Sequence, residues 1–353
     1  MSAPLRQDFT SDNITGAAPE VLAALAAANA GTVASYGGDP LSEALARRAA
    51  ELFERPLAIL PVATGTAANA LALSVLARPF EAIYCHPAAH VMTDECGAPE
   101  FYTGGAKLIG LPSADGRLDP GELARAVGFA RGMGVHHVQP AAVTVSQASE
   151  WGTVYGLAEL RELATTAHGL GLKVHMDGAR FANAVAQLGC SPADASWRAG
   201  VDVLSFGASK NGALAAEAVV AFDPALAAEL ALRRKRAGHL WSKMRFLSAQ
   251  LLAYLDGGLW LRNARHANAM AQRLAAGLAP LAGVRLAQPV EANELFVELP
   301  AAMSAALRAA GFRFYDWPAP PGVGGAVVRL VTSYDMTAEE VDALVAAARR
   351  VSG

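Results

Sequence analysis

Asp202-Val-Leu-Ser-Phe-Gly-Ala-Ser-Lys-Asn-Gly212 is the stretch whose reading decides the fold. Its apolar first half is a short buried strand, and a turn of small residues then delivers a single lysine, Lys210. Upstream, Lys173-Val-His-Met-Asp-Gly-Ala-Arg180 is a second strand that ends on a carboxylate. Alternation along it sends His175 and Asp177 to one face and Val174 and Met176 to the other. A lysine past one buried strand and an acid past another is what pyridoxal phosphate (PLP) chemistry requires. The amine forms a Schiff base with the cofactor aldehyde, and the carboxylate keeps the pyridine nitrogen protonated so that the ring accepts electrons.

Both residues also have plainer explanations. Asp177 ahead of Gly178 suits a helix N-cap, and Lys210 after Gly-Ala-Ser suits a surface loop. The apolar residues before Lys210 and the run Gly212-Ala-Leu-Ala-Ala after it place its stem in the interior instead. Burial lowers the proton affinity of an amine, which is what a Schiff-base nucleophile needs.

Outward from this pair, short β-rich runs alternate with helical segments. The expected strands are 57–62, 82–85, 107–111, 141–146, 173–176 and 203–206, and the helices between them 67–77, 120–130, 157–167 and 180–188. This alternation predicts an α/β fold of right-handed βαβ units on a largely parallel sheet, with ligands beyond the carboxyl ends of the strands. Residues 218–222 add a strand that a short turn makes antiparallel. Before the sheet, an extended arm leads to Asp39-Pro40, an N-cap and first-turn proline for a helix to about Phe53. After Pro224 comes long helix, 225–279, broken near His239 and at Gly257-Gly258. Strands 294–298 and 327–331 and a closing helix 338–351 complete the chain. Its 353 residues exceed what one core organises, so we expect a large domain, residues 1–260, and a small α+β domain, residues 261–353.

Composition narrows the function. Twenty-nine Lys and Arg against 32 Asp and Glu give a net charge of -3, which offers no long-range pull toward nucleic acid or an anionic membrane. The basic run Arg233-Arg-Lys-Arg236 is either a solvated helix face or a grip on phosphate. Cys85, Cys96 and Cys190 lack metal or redox spacing, and Met1 to Asp8 lacks the apolar core of a signal peptide, so a cytoplasmic protein without metal is expected. Residues 56–77 carry no charge and match a membrane span in length. Pro61, Thr64, Gly65, Thr66 and Asn69 interrupt them, which fits a buried strand turning into a buried helix.

That junction, Thr64-Gly-Thr-Ala-Ala-Asn69, offers free N–H groups at a helix start, with Thr64 and Thr66 hydroxyls beside them, to a phosphate. It lacks the lysine of a nucleotide P-loop and the three-glycine spacing of a dinucleotide fold. Alone it reads better as small residues packed at a tight strand-helix junction; with Asp177 and Lys210 it reads as the phosphate site.

Taken in order, six motifs resemble one family across nearly the whole chain. They are Asp8-Phe-Thr-Ser-Asp-Asn13, Tyr36-Gly-Gly-Asp-Pro40, Ala63-Thr-Gly-Thr-Ala-Ala-Asn69, His175 to Arg180 and Ser205 to Lys210, with Val328-Arg-Leu-Val-Thr332 closing the set. The family is the low-specificity L-threonine aldolase group of fold-type-I PLP enzymes, in the β-eliminating-lyase-like branch. The resemblance implies that Lys210 carries PLP, Asp177 pairs with the pyridine nitrogen, and Thr64, Gly65, Thr66 and Ser209 surround the phosphate. It implies that His90 stacks on the ring and that Ser11, Arg180 and Arg329 grip the substrate carboxylate, with Arg180 also beside the cofactor. Bidentate planarity suits arginine to that grip. Fold type I further implies a homodimer or homotetramer with shared sites, which Tyr36 and basic residues between Arg233 and Lys243 reach from a neighbour.

The family's second histidine, on the loop before Gly-Thr-Val-Tyr, is absent from Ser146-Gln-Ala-Ser-Glu-Trp-Gly-Thr-Val-Tyr155. His90, or a water it holds, is then the leading base for a β-hydroxyl proton. The expected reaction is retro-aldol cleavage of an L-β-hydroxy-α-amino acid, such as L-threonine, L-allo-threonine or L-phenylserine, to glycine and an aldehyde. The alternatives are an aminotransferase, a β-eliminating lyase, or a PLP-binding protein without turnover. Tyr36, His86, His90, Trp151 and Lys243 are candidates for the aldehyde-side pocket.

Overall fold

A computed structural model describes residues 5–352; Met1 to Pro4 of the N-terminal reading, and Gly353, lie outside the described residues. In chain order the first half comprises α1 (Pro19–Ala28), α2 (Pro40–Leu52), β1 (Ala58–Val62), α3 (Gly65–Ser74), β2 (Glu81–Cys85), α4 (His90–Thr93), α5 (Ala98–Thr103), β3 (Lys107–Gly110), α6 (Pro120–Gly132) and β4 (Gln139–Ser146). There follow α7 (Leu157–Gly169), β5 (Lys173–Gly178), α8 (Phe181–Leu188), β6 (Val203–Phe206), β7 (Glu217–Ala221), α9 (Ala227–Arg236), α10 (Arg245–Leu255) and α11 (Leu259–Leu278). The C-terminal part adds β8 (Arg285–Leu286), β9 (Glu294–Glu298), α12 (Ala301–Ala309), β10 (Tyr315–Trp317), β11 (Val327–Val331) and α13 (Ala338–Ser352).

Seven strands form one sheet in the order β1-β7-β6-β5-β4-β2-β3. β6, β5, β4, β2 and β3 pair in parallel, and β7 runs antiparallel to both β6 and β1. Pairing sets Ser146 opposite Asp177 and Asp177 opposite Ser205, so the carboxyl ends of β4, β5 and β6 share one rim. Helices on both faces bury the strands, whose central residues are almost all fully enclosed. Residues 56–77 are indeed strand and buried helix, and no helix of the described residues is long and apolar enough to cross a membrane.

The N-terminal arm is shorter than expected, because Pro19 at a first-turn position and the alanine-rich run behind it form α1. Asp39 caps α2 as predicted, accepting from the N–H groups of Leu41 and Ser42. The long helical region breaks where the glycines require it: Gly257 and Gly258 both sit at positive φ between α10 and α11. In the four-stranded sheet β10-β11-β9-β8, alternation sends Leu295, Val297, Val328 and Leu330 into a core with α11, α12 and α13. The opposite face carries Glu294, Phe296 and Arg329, and Phe296 meets Trp151, in the loop after β4, edge to face at 5.4 Å. α11 runs through both cores: Trp260 and Ala264 pack with the large sheet, Ala271, Leu274 and Leu278 with the small one.

Aromatic packing fixes the backs of the two strands that decide the site. Phe206, at the end of β6, contacts Phe53, Phe181, Tyr254 and Trp260 at centroid distances of 6.2, 6.0, 6.1 and 6.1 Å. Such pairs contribute about 0.5–1.5 kcal/mol each beyond area burial. Past Phe206 the backbones close up: a Cβ on Gly207 would lie 2.5 Å from the carbonyl oxygen of Ala179 and 2.7 Å from its Cα. Because backbone cannot yield as a side chain tip does, Gly207→Ala is expected to destabilise the fold by about 1–3 kcal/mol. Urea denaturation compared with wild type checks this; an unchanged midpoint would mean that the strand ends spread freely.

Candidate active site

Lys210 sits in a single 3-10 turn, Ser209–Asn211, immediately beyond β6. The turn is held from both sides. Glu217 on β7 accepts the N–H of Ala208 at 3.0 Å and of Ser209 at 3.2 Å. Asn211 donates to the Tyr254 hydroxyl and the Trp260 carbonyl, and Asn263 donates back to the Asn211 carbonyl. Burial pushes the Glu217 carboxyl up to about 7, against its bonds to this turn and the charge of Lys210. The lysine that the sequence placed on a loop is thus on a pinned loop.

At the end of β5, His175 and Asp177 share a face as alternation required. His175 is fully buried between the Thr144 hydroxyl, 2.7 Å from Nδ1, and the Ser205 hydroxyl, 3.0 Å from Nε2. Burial lowers its pKa to about 4, so the ring is neutral and ties β4, β5 and β6 together. Asp177 Oδ1 accepts the Ala179 N–H at 3.0 Å, the expected capping role, while Oδ2 accepts from Asn69 Nδ2 at 2.8 Å. Asn69 spends its other proton on Glu95 Oε1, also at 2.8 Å, and that oxygen receives His90 Nδ1 at 2.8 Å. His90, Glu95 and Asp177 lie close enough to suggest a metal site, but these hydrogen bonds already use the oxygens that face one another. The Glu95 bond raises the pKa of His90 above the usual imidazole value, against the cost of burial. Burial likewise pushes the Glu95 carboxyl up while its His90 bond pulls it back.

The phosphate candidate is built from α3. Thr64 is its N-cap, with Oγ1 accepting the Ala67 N–H at 3.1 Å. Gly65 and Thr66 occupy the first two helical positions, whose N–H groups have no intrahelical acceptor. A Cβ on Gly65 would meet nothing within 4 Å, so the helix start opens onto free space. Ser209 flanks the lysine, its hydroxyl 3.5 Å from the Ala216 carbonyl. Of the basic run on α9, Arg233 pairs with Glu229 and Arg234 reaches the Pro61 carbonyl in β1.

Two arginines from different sheets converge with two acids. Arg180 grips Asp12 with Nε and Nη2 at 2.8 and 3.0 Å, and its Nη1 lies 3.0 Å from Glu294 Oε2. Arg329 donates to the Thr10 carbonyl at 3.0 Å, approaches Glu294 at 3.7 Å, and sets its guanidinium carbon 4.3 Å from the centre of the Trp317 ring. Burial works against the Asp12 charge, yet Arg180 and Lys210 outweigh it and hold its carboxyl below the usual range. Burial, helped by the like charge of Arg180, lowers the pKa of Arg329 against the pull of Glu294. Ser11 caps the 3-10 turn of Asp12–Ile14, which packs against the turn of Lys210.

Within the chain, then, Ser11, Arg180 and Arg329 meet around Asp12 and Glu294, while His90 and Asp177 meet through Asn69 and Glu95. The charge of Lys210 reaches Asp12, His90 and Glu217. Tyr36 stands apart: half exposed, with its N–H on the Ser242 carbonyl and Lys235 Nζ 4.7 Å above its ring. Sequence reading missed Asp12, Asn69, Glu95, Glu150, Glu217 and Glu294. The only advance sign of them is a polar residue set in an apolar run, as in Ala292-Asn-Glu-Leu-Phe-Val297.

A family model described as Beta-eliminating lyase matches residues 8–302. The chain belongs to the beta-eliminating lyase family. Two curated members are each 45% identical to it over 98% of both chains: the low specificity L-threonine aldolases of Pseudomonas sp. (strain NCIMB 10558) and of Pseudomonas aeruginosa. Among solved structures, the threonine aldolase of Leishmania major superposes with a TM-score of 0.91 at 31% identity, covering 99% of this chain and 100% of that one. The architecture is that of a fold-type-I PLP enzyme, a mostly parallel seven-stranded sheet joined to a small antiparallel one.

Proposed function

We propose that this beta-eliminating lyase family member is a PLP-dependent L-threonine aldolase of low specificity. It cleaves L-β-hydroxy-α-amino acids to glycine and an aldehyde. The full-length identity to two L-threonine aldolases carries this reading. What supports it chemically is the arrangement of Lys210 and Asp177 on one rim, with Arg180 and Arg329 converging on Glu294.

The residues present fit the cofactor. Lys210 would hold its aldehyde carbon, Asp177 its pyridine nitrogen, and the N–H groups of Gly65 and Thr66 its phosphate, beside Thr64 and Ser209. The open space at Gly65, where any side chain would intrude, supports that fit. When bound, the cofactor supplies an electron sink for the pair left on Cα after bond cleavage. Arg180 and Arg329, with Ser11, would hold the substrate carboxylate and so fix the orientation of the bonds at Cα. His90, at the start of α4 on the same rim, would hold or take the β-hydroxyl proton. The Lys210 amine would hold the cofactor and could also carry a proton.

We further propose a homodimer or homotetramer in the cytoplasm, in which Tyr36 and Lys243 of one subunit approach the site of another. Both side chains are exposed in the single chain. The test is turnover of L-threonine, L-allo-threonine and L-phenylserine by purified protein supplied with PLP. Acetaldehyde or benzaldehyde with equimolar glycine is expected. A keto acid or ammonia in their place would make the chain an aminotransferase or eliminating lyase.

A further inference from the structure

The loop that lacks the family's second histidine leaves the β-hydroxyl base to be explained, and the surroundings of His90 are unusually well made. His90 opens α4 at the rim of the site, with its N–H on Glu150 Oε1 at 2.8 Å. That carboxylate is itself held by the Ser146 hydroxyl at 2.6 Å. The side chain of His90 is 41% exposed, and Nδ1 is turned inward onto Glu95 Oε1, whose side chain has no exposure at all. Nε2 has no partner among the described residues. Glu95 Oε1 is in turn fixed by Asn69 Nδ2, whose second proton is on Asp177 Oδ2. One amide therefore sets the distance between the acid expected at the pyridine nitrogen and the acid that orients His90.

We propose that Glu95 is a positioning residue: it fixes His90 with its proton on Nδ1, leaving the Nε2 lone pair to take the β-hydroxyl proton. An ionised carboxylate only accepts hydrogen bonds, so the ring nitrogen against it carries the proton. The inference rests on the aldolase reading and names its base. In the step it serves, the O–H bond breaks and an N–H bond forms at Nε2. The pair from the O–H bond becomes the second bond of the aldehyde carbonyl, as the Cα–Cβ pair stays on Cα. The positive imidazolium that results is stabilised by Glu95 at 2.8 Å, as in other histidine–carboxylate pairs. The charged groups facing His90 are Glu95, Asp177 on β5, Lys210 beyond β6 and Glu150 beyond β4. Glu95 is the one in contact with the ring, which is why its removal should be felt most.

The experiment follows the imidazole by NMR of protein labelled with 15N-histidine, with and without PLP, in wild type, Glu95→Gln and Glu95→Asp. The wild-type ring is expected to carry its neutral-state proton on Nδ1. Glu95→Gln keeps the shape and removes the charge, so the His90 midpoint should fall by about one pH unit or more, and Glu95→Asp should recover part of that fall. In turnover, kcat of Glu95→Gln should drop at least about tenfold with KM within about twofold, and the acid limb of kcat should move to lower pH with the midpoint. A wild-type proton on Nε2, an unmoved midpoint, or an equal kcat loss from Glu95→Gln in a His90→Asn background would overturn the proposal. Absence of carbon–carbon cleavage by the wild type would instead sink the aldolase reading, while the titration would still decide the pairing.

Discussion

Lys210→Ala is expected to abolish carbon–carbon cleavage, by on the order of 10³-fold or more, because on the proposed reading it removes the amine that anchors the cofactor. The fold should survive. The turn of Ser209–Asn211 is held through backbone N–H groups, Asn211 and Asn263, and none of those contacts uses the lysine side chain. Asp177 and the start of α3 also remain, so the variant should still bind PLP, but without a covalent link. Borohydride reduction followed by peptide mapping separates the cases: wild type should retain the label on the Lys210 peptide, and the variant should lose it on dialysis. Cleavage persisting in the variant, or label on another lysine, would remove Lys210 from the chemistry.

The second large effect belongs to Arg180. Arg180→Leu leaves Asp12 and Glu294 buried without their shared cation, the Asp12 side chain being 1% exposed and the Glu294 side chain likewise. Breaking a buried pair by deleting one partner costs about 3–5 kcal/mol. The pH dependence carries a sign that identifies the cause. Stripped of Arg180, buried Asp12 favours its protonated form, so its folded pKa rises above the unfolded value. The penalty is then full at neutral pH and shrinks as pH falls through that raised value. Urea denaturation of wild type and variant at pH 7.5 and pH 5 should show the gap narrowing at the lower pH. A gap that is constant with pH would mean that lost packing, not stranded charge, is responsible. Arg180→Lys keeps a charge but not the fork that spans Asp12 and Glu294, and should rescue little of the substrate grip.

How much of this could be read in the sequence depended on how local the signal was. The strand ends at Asp177 and Lys210, the cap at Asp39, the helix start at Thr64 and the breaks at Gly257 and Gly258 each follow from neighbours within a few residues. The antiparallel course of β7 followed from the shortness of the turn before it. Helix α1 was missed although Pro19 and Glu20 are first-turn signals, because the segment was read as a continuation of the arm. The pieces α4 and α5 are too short for any periodicity to declare them. Asn69 and Glu95 are 26 positions apart, Asn69 and Asp177 108, and Asp12 and Asn293 281. Pairings across such separations leave no local pattern, so the partners that hold the candidate site together stayed hidden while the residues proposed to face its ligand did not. Arg180 and Arg329 were visible through the family resemblance; that they already hold acids was not.

That last point bears on how a substrate is admitted. Counting formal charges, two guanidinium groups from opposite sheets are matched by Asp12 and Glu294, so the clamp has no surplus charge with which to draw an anion from a distance. On the proposed reading, an amino-acid carboxylate arriving there would enter a neutral quartet and share cations with Glu294, a resident competitor supplied by the chain itself. Capture is then a short-range contest decided by hydrogen-bond geometry, one that dissolved salt has little power to alter.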